Sequence, residues 1–161
     1  MALNDDVREY TLQLNKGHIQ KAYSGIMKFM SELRIYLENK FIDYTAGALY
    51  YGYMDMTYFA FTPSQLKDKK LKVAIVYMHK EGVFELWLAA NNRQIQSNYN
   101  KFLSLKDTGG YTLSKINPGV DSIIATIIDA KPDFDYPEQL IKLIEEKILE
   151  FIKDIVYMLS K

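Results

Sequence analysis

The sequence predicts an α+β protein in which one antiparallel sheet is flanked by helices from both ends of the chain. Apolar residues recur at helical spacing in residues 1–40 and again in residues 137–161. The middle of the chain instead alternates apolar and polar residues with the period of a strand. Helices at the ends with strands between them favour α+β over a doubly wound parallel sheet. At this length we expect a single globular domain over residues 1–161.

The N-terminal region predicts two helices that meet at Gly17. Val7, Tyr10 and Leu14 lie at helical spacing in the first helix. Glycine is common just past a helix end, because it adopts positive φ without steric cost. The second helix carries a longer apolar stripe, made of Ile19, Tyr23, Ile26, Met30, Leu33 and Leu37. We expect the two helices to pack as an antiparallel hairpin.

The central region predicts a sheet of three or four antiparallel strands. An aromatic-rich strand is expected over residues 48–61, because aromatic side chains fit a pleated, half-buried surface. Residues 71–79 and 83–90 alternate with period two on either side of a short turn at 80–82, which is typical of a β-hairpin. Residues 111–115 are a candidate edge strand and would make the fourth.

Three further helices are predicted in the second half of the chain. The first begins at Asn91 or Asn92, because asparagine is a favoured N-cap. Isoleucine and valine pairs at helical spacing predict the second helix over residues 119–130. The last helix has Pro137 in its first turn. Its apolar face is wide, which indicates either a helix sandwiched in the core or a contribution to a homodimer.

A candidate ligand site is predicted on one face of the sheet. Strict alternation along the strands places aromatic and charged residues together on that face, and polar residues follow at the start of the next helix. The candidate residues are Tyr51, Tyr53, Asp55, Lys72, Glu85, Trp87, Asn91 and Arg93. A concave aromatic wall with a few convergent charges is typical of a small-molecule site, and a helix start with an arginine suits an anion. The alternative is a solvated sheet face with Asn91 or Asn92 acting only as a cap.

These residues support three hypotheses for the function and leave open whether the protein is an enzyme. The first is a small-ligand-binding or accessory domain that uses the candidate site. The second is a metal-dependent hydrolase or nuclease, because Asp55 and Glu85 on adjacent strands, with Lys72 nearby, are similar to a carboxylate pair that holds magnesium. The third is a protein-interaction module that works through the aromatic face or the last helix. No phosphate-binding loop or dinucleotide fingerprint occurs, so the sequence identifies no cofactor.

The composition excludes several classes of protein. The chain has no cysteine, so disulfides, thiolate metal sites and cysteine nucleophiles are excluded. The two histidines are far apart in sequence and predict no metal site. Lys and Arg number 20 and Asp and Glu also number 20, so general nucleic-acid binding is not expected. The N-terminus has no signal-peptide pattern, and no apolar run is long enough to span a bilayer, so we expect a soluble cytoplasmic protein.

Four stretches resemble an uncharacterised family of small bacterial proteins in their order and spacing. They are "GYMDMTYFAFTP", "LKVAIVYMHKEGVFELWL", "NNRQIQ" and "KPDFD". The resemblance covers nearly the whole chain. It implies a stand-alone bacterial domain, and it transfers no catalytic residue.

Overall fold

The computed structural model describes residues 2–115 and 119–160 and shows an α+β fold. Its sheet has five strands in the order β1-β2-β3-β4-β5, and every neighbouring pair is antiparallel. The strands are β1 (Tyr44–Ala46), β2 (Met56–Pro63), β3 (Leu71–Met78), β4 (Val83–Ala90) and β5 (Ser122–Asp129). The helices are α1 (Leu3–Lys16), α2 (His18–Lys40), α3 (Ser64–Lys67), α4 (Arg93–Ser104) and α5 (Pro137–Leu159).

The hairpin of β3 and β4 and the start of α4 confirm the corresponding predictions. The register of the hairpin runs from Leu71 opposite Ala90 to Met78 opposite Val83. Asn92 is the N-cap of α4, and its side-chain oxygen accepts a hydrogen bond from the backbone N–H of Ile95 at 2.9 Å. These elements were predictable because the signals that specify them are local in sequence.

The predicted helix over residues 119–130 is wrong, because this segment forms β5. It pairs with β4 along its length, with Leu88 opposite Ile124 and Trp87 opposite Ala125. Isoleucines in adjacent pairs satisfy the spacing of a helix, but they also suit a strand that is buried on both faces. Ile123 and Ile124 are both fully buried. The candidate strand at 111–115 reduces to a single bridge between Leu113 and Ile124.

The predicted strand over residues 48–61 is also interrupted. The chain forms the short β1, leaves the sheet, and returns as β2 from Met56 onward. In the described residues between β1 and β2, one isolated bridge joins this segment to β2, and it pairs Tyr50 with Tyr58. Residues 50–55 therefore form a loop, where Gly52 and Met54 have φ angles of +77° and +65°. We call this segment the tyrosine loop.

The two N-terminal helices are present and contact each other, but α1 buries no side chain. Gly17 ends α1 in the left-handed conformation with φ +81°, as expected for a helix end. Residues 2–12 of the chain are all exposed, and α1 contributes no buried residue. The apolar stripe of α1 therefore faces solvent.

The core lies where α2 and α5 pack against the sheet. Four aromatic rings connect these elements: Phe29 of α2, Tyr77 of β3, Phe84 of β4 and Phe134 before α5. The wide apolar face of α5 is buried in this core, through Leu140, Ile144, Ile148, Phe151, Ile152, Ile155 and Met158. Most of that face is therefore buried in the core, although Leu149 on α5 remains 36% exposed.

A polar contact ties α2 to α5 beside this core. The carboxylate of Glu145 accepts hydrogen bonds from the hydroxyl of Tyr36 at 2.6 Å and from the ammonium of Lys40 at 2.7 Å. Burial alone would raise the pKa of Glu145, but these hydrogen bonds outweigh it and hold the pKa below its ordinary value. The ionised carboxylate therefore stabilises the folded state.

We expect Glu145 to make stability fall with acidification. A carboxyl whose pKa is lowered by folding stabilises the protein above its unfolded pKa, and this contribution is lost as the pH falls through the folded pKa. The loss should begin near the ordinary pKa of 4.5 and continue below it. Glu145→Gln should be less stable than wild type at neutral pH and show a weaker pH dependence, measured by denaturant unfolding across this range. Its exposed neighbour Glu146 provides the matched control as Glu146→Gln, which should retain the wild-type dependence.

Candidate functional site

A groove of about 280 Å³ lies on the face of the sheet that bears Lys72 and Trp87, and we call it the sheet-face groove. Strands β2, β3 and β4 form its base, and the first turn of α4 closes one end. Its lining side chains are Met56, Tyr58, Lys72, Ala74, Trp87, Ala89, Ala90, Asn91, Asn92, Arg93, Gln96 and Asp121.

Small side chains on β3 and β4 make this face concave. Ala74 lies opposite Trp87, and Ala89 lies opposite Lys72. Tyr58 stands on β2, on the other side of β3 from Trp87. Neighbouring strands are about 4.8 Å apart, so β2 and β4 are about 10 Å apart, and the two-residue offset along the strands puts the two Cα atoms about 12 Å apart. Trp87 lies opposite Ala74 and Tyr58 lies opposite Val76, so the two aromatic side chains form diagonally placed walls of a slot.

Glu85 orients Trp87, which forms one wall of this slot. The indole Nε1–H of Trp87 donates a hydrogen bond to the Glu85 carboxylate at 2.9 Å. The two residues are two positions apart on β4 and so share one face of the strand. Glu85 does not line the groove, and its contribution is to orient one of the aromatic walls.

The end of the groove at α4 is braced by Arg93. Its guanidinium pairs with the Asp121 carboxylate at 3.1 Å and donates to the side-chain oxygen of Gln96 at 3.0 Å. The same guanidinium and Gln96 also donate to the backbone carbonyl of Val120. Arg93 therefore joins the start of α4 to the segment before β5, and much of its donor capacity is used within the protein.

Lys72 is the groove cation that has no partner within the described residues. It is exposed on β3. It makes neither a hydrogen bond nor an ion pair with any residue in the described ranges 2–115 and 119–160. Its ammonium is free to contact a bound anion.

The structure brings together only part of the predicted site. Lys72, Trp87, Asn91 and Arg93 line the sheet-face groove, and Glu85 contacts Trp87. The other candidates, Tyr51, Tyr53 and Asp55, lie in the tyrosine loop, outside the sheet. The prediction that they share the groove face by strand alternation is therefore wrong. The strand that follows has the opposite parity, because Phe59 is paired with the core residue Ile75.

Asp55 stabilises the loop in which it lies. Its side-chain oxygen accepts a hydrogen bond from the backbone N–H of Tyr53 at 2.9 Å, and its backbone carbonyl accepts one from His79 at 3.1 Å. The bond from Tyr53, together with one from the Met56 N–H, lowers the pKa of Asp55. Asp55 is exposed. The charged residue among the tyrosines thus has a local structural role.

The histidine that follows β3 packs beside this loop. The Thr57 hydroxyl donates to the Tyr51 carbonyl at 2.6 Å and lies 2.8 Å from Nε2 of His79. Because the hydroxyl hydrogen is already used, Nε2 of His79 is the donor in the second contact. Burial lowers the pKa of His79, although Asp55 nearby raises it. The imidazole therefore favours its neutral form at neutral pH.

The hydrolase alternative gains no support from the arrangement of carboxylates. Asp55 is engaged with its own loop and Glu85 with Trp87. Within residues 2–115 and 119–160, no three histidine, cysteine, aspartate or glutamate side chains are grouped so that they could hold a metal ion.

Sequence reasoning missed several groove residues. Met56 and Tyr58 line the groove from β2 but were not among the candidates, because the face of this strand was assigned from Asp55, which lies outside it. Asp121 was placed in a helix. The concentration of polar residues in "NNRQIQ" at the start of α4 was the signal in the sequence, and its Gln96 is buried in the structure.

The fold and the groove define a class of α+β proteins in which a five-stranded meander carries a groove beside the first turn of a helix. The chain belongs to the family described as domain of unknown function DUF7000, whose family model matches residues 3–159. This confirms the resemblance to an uncharacterised family. Searches of curated proteins and of solved structures found no match. None of the helices in the described ranges is long and apolar enough to cross a membrane.

Proposed function

We propose that the sheet-face groove binds a small, flat organic anion, with its ring between Tyr58 and Trp87 and its anionic group at Lys72. The observation that carries this proposal is the position of Lys72. It is an exposed cation without a partner in the described part of the chain, and it lies in a groove with aromatic walls.

The aromatic walls favour a flat ring. Tyr58 and Trp87 stand on strands about 10 Å apart and are offset by two residues along the sheet, with Ala74 opposite Trp87 and Val76 opposite Tyr58. Aromatic rings prefer offset-stacked or edge-to-face contacts with centroids about 4.5–7 Å apart. A single ring between the two walls satisfies that range on both sides.

The charges favour an anionic substituent on that ring. Lys72 is two residues from Ala74 on β3, so it lies on the same face about 7 Å away. The N-terminal turn of α4 places the positive end of the helix dipole at the same end of the groove, where the Asn92 side chain already caps the Ile95 N–H. Asn91 adds an amide that makes no side-chain hydrogen bond within the described ranges.

The size of the groove limits the ligand to a small molecule. Typical ligand pockets measure about 300–1,000 Å³, and this groove lies just below that range at about 280 Å³. An aromatic carboxylate or a mononucleotide portion fits better than a larger cofactor. The shared recognition chemistry is one flat ring with one anionic group.

Intrinsic fluorescence can test the proposal directly, because Trp87 is the only tryptophan in the chain. Wild-type protein would be titrated with 4-hydroxybenzoate, indole-3-carboxylate and adenosine monophosphate, and with a neutral counterpart of each. We expect at least one anion to change the Trp87 emission and its neutral counterpart to bind more weakly. If neither the anions nor the neutral compounds change the emission, the proposal is contradicted.

Replacing Lys72 with methionine should weaken binding of that anion by roughly tenfold to a hundredfold, because a hydrogen bond to a charged group contributes about 1.5–3 kcal/mol. The aliphatic stem of the side chain is kept, and the exposed position should leave folding unchanged. Lys153→Met on the exposed side of α5 is the matched control and should bind as wild type does. Equal affinities for both variants would show that Lys72 does not hold the anion.

We also propose that the protein works in a bacterial cytoplasm. The absence of cysteine fits a reducing compartment. The resemblance of the four stretches to small bacterial proteins supports the bacterial origin. Fractionation of cells that express a tagged chain from its native source would test the location.

A further inference from the structure

Helix α1 leaves its apolar stripe uncovered. Leu3, Val7 and Tyr10 lie on one side of the helix and are 75%, 49% and 58% exposed, and Leu14 continues the stripe. A helix of 14 residues is marginal in water when no apolar face is packed. Packing of this stripe against another surface would therefore stabilise α1.

The same chain has a groove without an occupant among the described residues, and we call it the α2 groove. It is the larger of the two grooves discussed, with a volume of about 570 Å³. Its apolar lining comes from Ala22, Gly25, Ile26, Phe29, Tyr77 and Phe134. No described residue of α1 lines it, so the stripe and the groove do not meet within one chain.

The shape of the α2 groove suits a helix. Ala22 and Gly25 are three residues apart on α2 and so lie on one side of it. A Cβ built on Gly25 meets no atom within 4 Å, so the surface there is open. The stripe from Leu3 to Leu14 and the part of α2 that lines the groove, from Lys21 to Glu32, each span about 16 Å at the rise of an α-helix.

The charges of the two surfaces are complementary. Asp6 flanks the stripe in the first turn of α1, whereas Asp5 lies on the other side of the helix and pairs with Arg8. Lys21, Lys28 and Glu32 line the α2 groove; Lys28 pairs with Glu32, and Lys21 is the lysine of the groove without an ion-pair partner in the described part of the chain. Opposite charges at the edges of an apolar contact favour encounter and fix its register.

We infer that two copies of the chain associate by exchanging α1, so that the stripe of each α1 lies in the α2 groove of the other copy. A helix whose apolar side chains at i, i+4 and i+7 enter a groove is a common recognition mode. Reciprocal exchange makes the contact self-complementary and closes the assembly as a two-fold dimer. A small apolar molecule is the competing occupant, but the chain itself supplies a helix that matches the groove in length and charge.

The first test measures the mass of the full chain by sedimentation equilibrium from about 1 to 100 µM, the range in which a contact of this kind is detected. We expect a dimer whose dissociation constant rises at least tenfold in the double variant Val7→Glu/Tyr10→Glu. Neither residue is buried, so the variant should fold as wild type does. Leu12→Glu is the matched control, because Leu12 is 54% exposed on the opposite side of α1 and should leave the dimer intact.

A second variant tests the groove itself. Gly25→Gln places a side chain in the open space on α2, and glutamine is a better helix former than glycine. We expect this variant to be at least as stable as wild type and to lose the dimer. A dimer that persists in both the α1 double variant and Gly25→Gln would overturn the inference. A wild type that stays monomeric throughout the range would overturn it too, and uptake of an apolar dye blocked by Gly25→Gln would then assign the groove to a small molecule.

Discussion

Replacing Phe84 with alanine is expected to lower the free energy of unfolding by about 3–5 kcal/mol. Phe84 is fully buried on β4. Its ring centroid lies 5.7 Å from that of Phe29, 4.9 Å from that of Tyr77 and 5.9 Å from that of Phe134. The substitution removes all three ring contacts and leaves a cavity where α2, the sheet and the segment before α5 meet. The surrounding backbone can only partly collapse into that space, because each of these elements is held by other contacts.

Thermal or urea unfolding would measure this loss. For a chain of this length, about 1 kcal/mol corresponds to about 2–4 °C, so the midpoint should fall by roughly 6–20 °C. Phe102→Ala is the control, because Phe102 is 37% exposed on α4 and should cost much less. If the two alanine variants were equally stable, the aromatic cluster would not be the centre of the core.

The parts of the fold that sequence predicted correctly are those with short-range signals. The β3–β4 hairpin combines period-two alternation with a turn that ends at Gly82, whose φ is +69°. The N-cap at Asn92 is specified by one residue. Such features do not depend on what the rest of the chain does, and a single sequence contains them.

The strand β5 could not be predicted from the local sequence pattern. Ile123 and Ile124 are both fully buried and the pairing with β4 shifts register beside them, so the segment lacks the alternation that marks a half-exposed strand. Adjacent apolar pairs fit both a helix and a fully buried strand. The choice was made by pairing with β4, which is a tertiary contact that the local pattern does not contain.

The candidate site was predicted in part for a related reason. Lys72 and Trp87 were placed correctly because they lie on the regular hairpin. Tyr51, Tyr53 and Asp55 were misplaced because the strand was extended through the tyrosine loop, where the alternation of a strand does not hold. The groove itself depends on where α4 begins relative to the sheet, which alternation cannot predict.

The residue that enforces this loop is Gly52, and Gly52→Ala is expected to destabilise the protein by about 2–4 kcal/mol, a large loss for a single loop substitution. Its φ of +77° disfavours any residue with a Cβ. A Cβ built there lies 2.0 Å from the backbone carbonyl oxygen of Met56 and 2.9 Å from the Asp55 carboxylate. The first of these atoms belongs to the first residue of β2, so relief of the clash requires the loop to move away from the sheet.

A matched substitution separates the clash from the backbone conformation. Gly109 has φ +62°, and a Cβ built on it meets no atom within 4 Å, so Gly109→Ala should cost only the left-handed penalty of about 1–2 kcal/mol. Urea unfolding should therefore rank Gly52→Ala clearly below Gly109→Ala in stability. Because Met56 and Tyr58 follow the loop directly and line the sheet-face groove, Gly52→Ala should also change the emission of Trp87 in the folded protein. Equal stabilities for the two alanine variants would mean that the contact with Met56 is easily relieved, and that the tyrosine loop does not fix the start of β2.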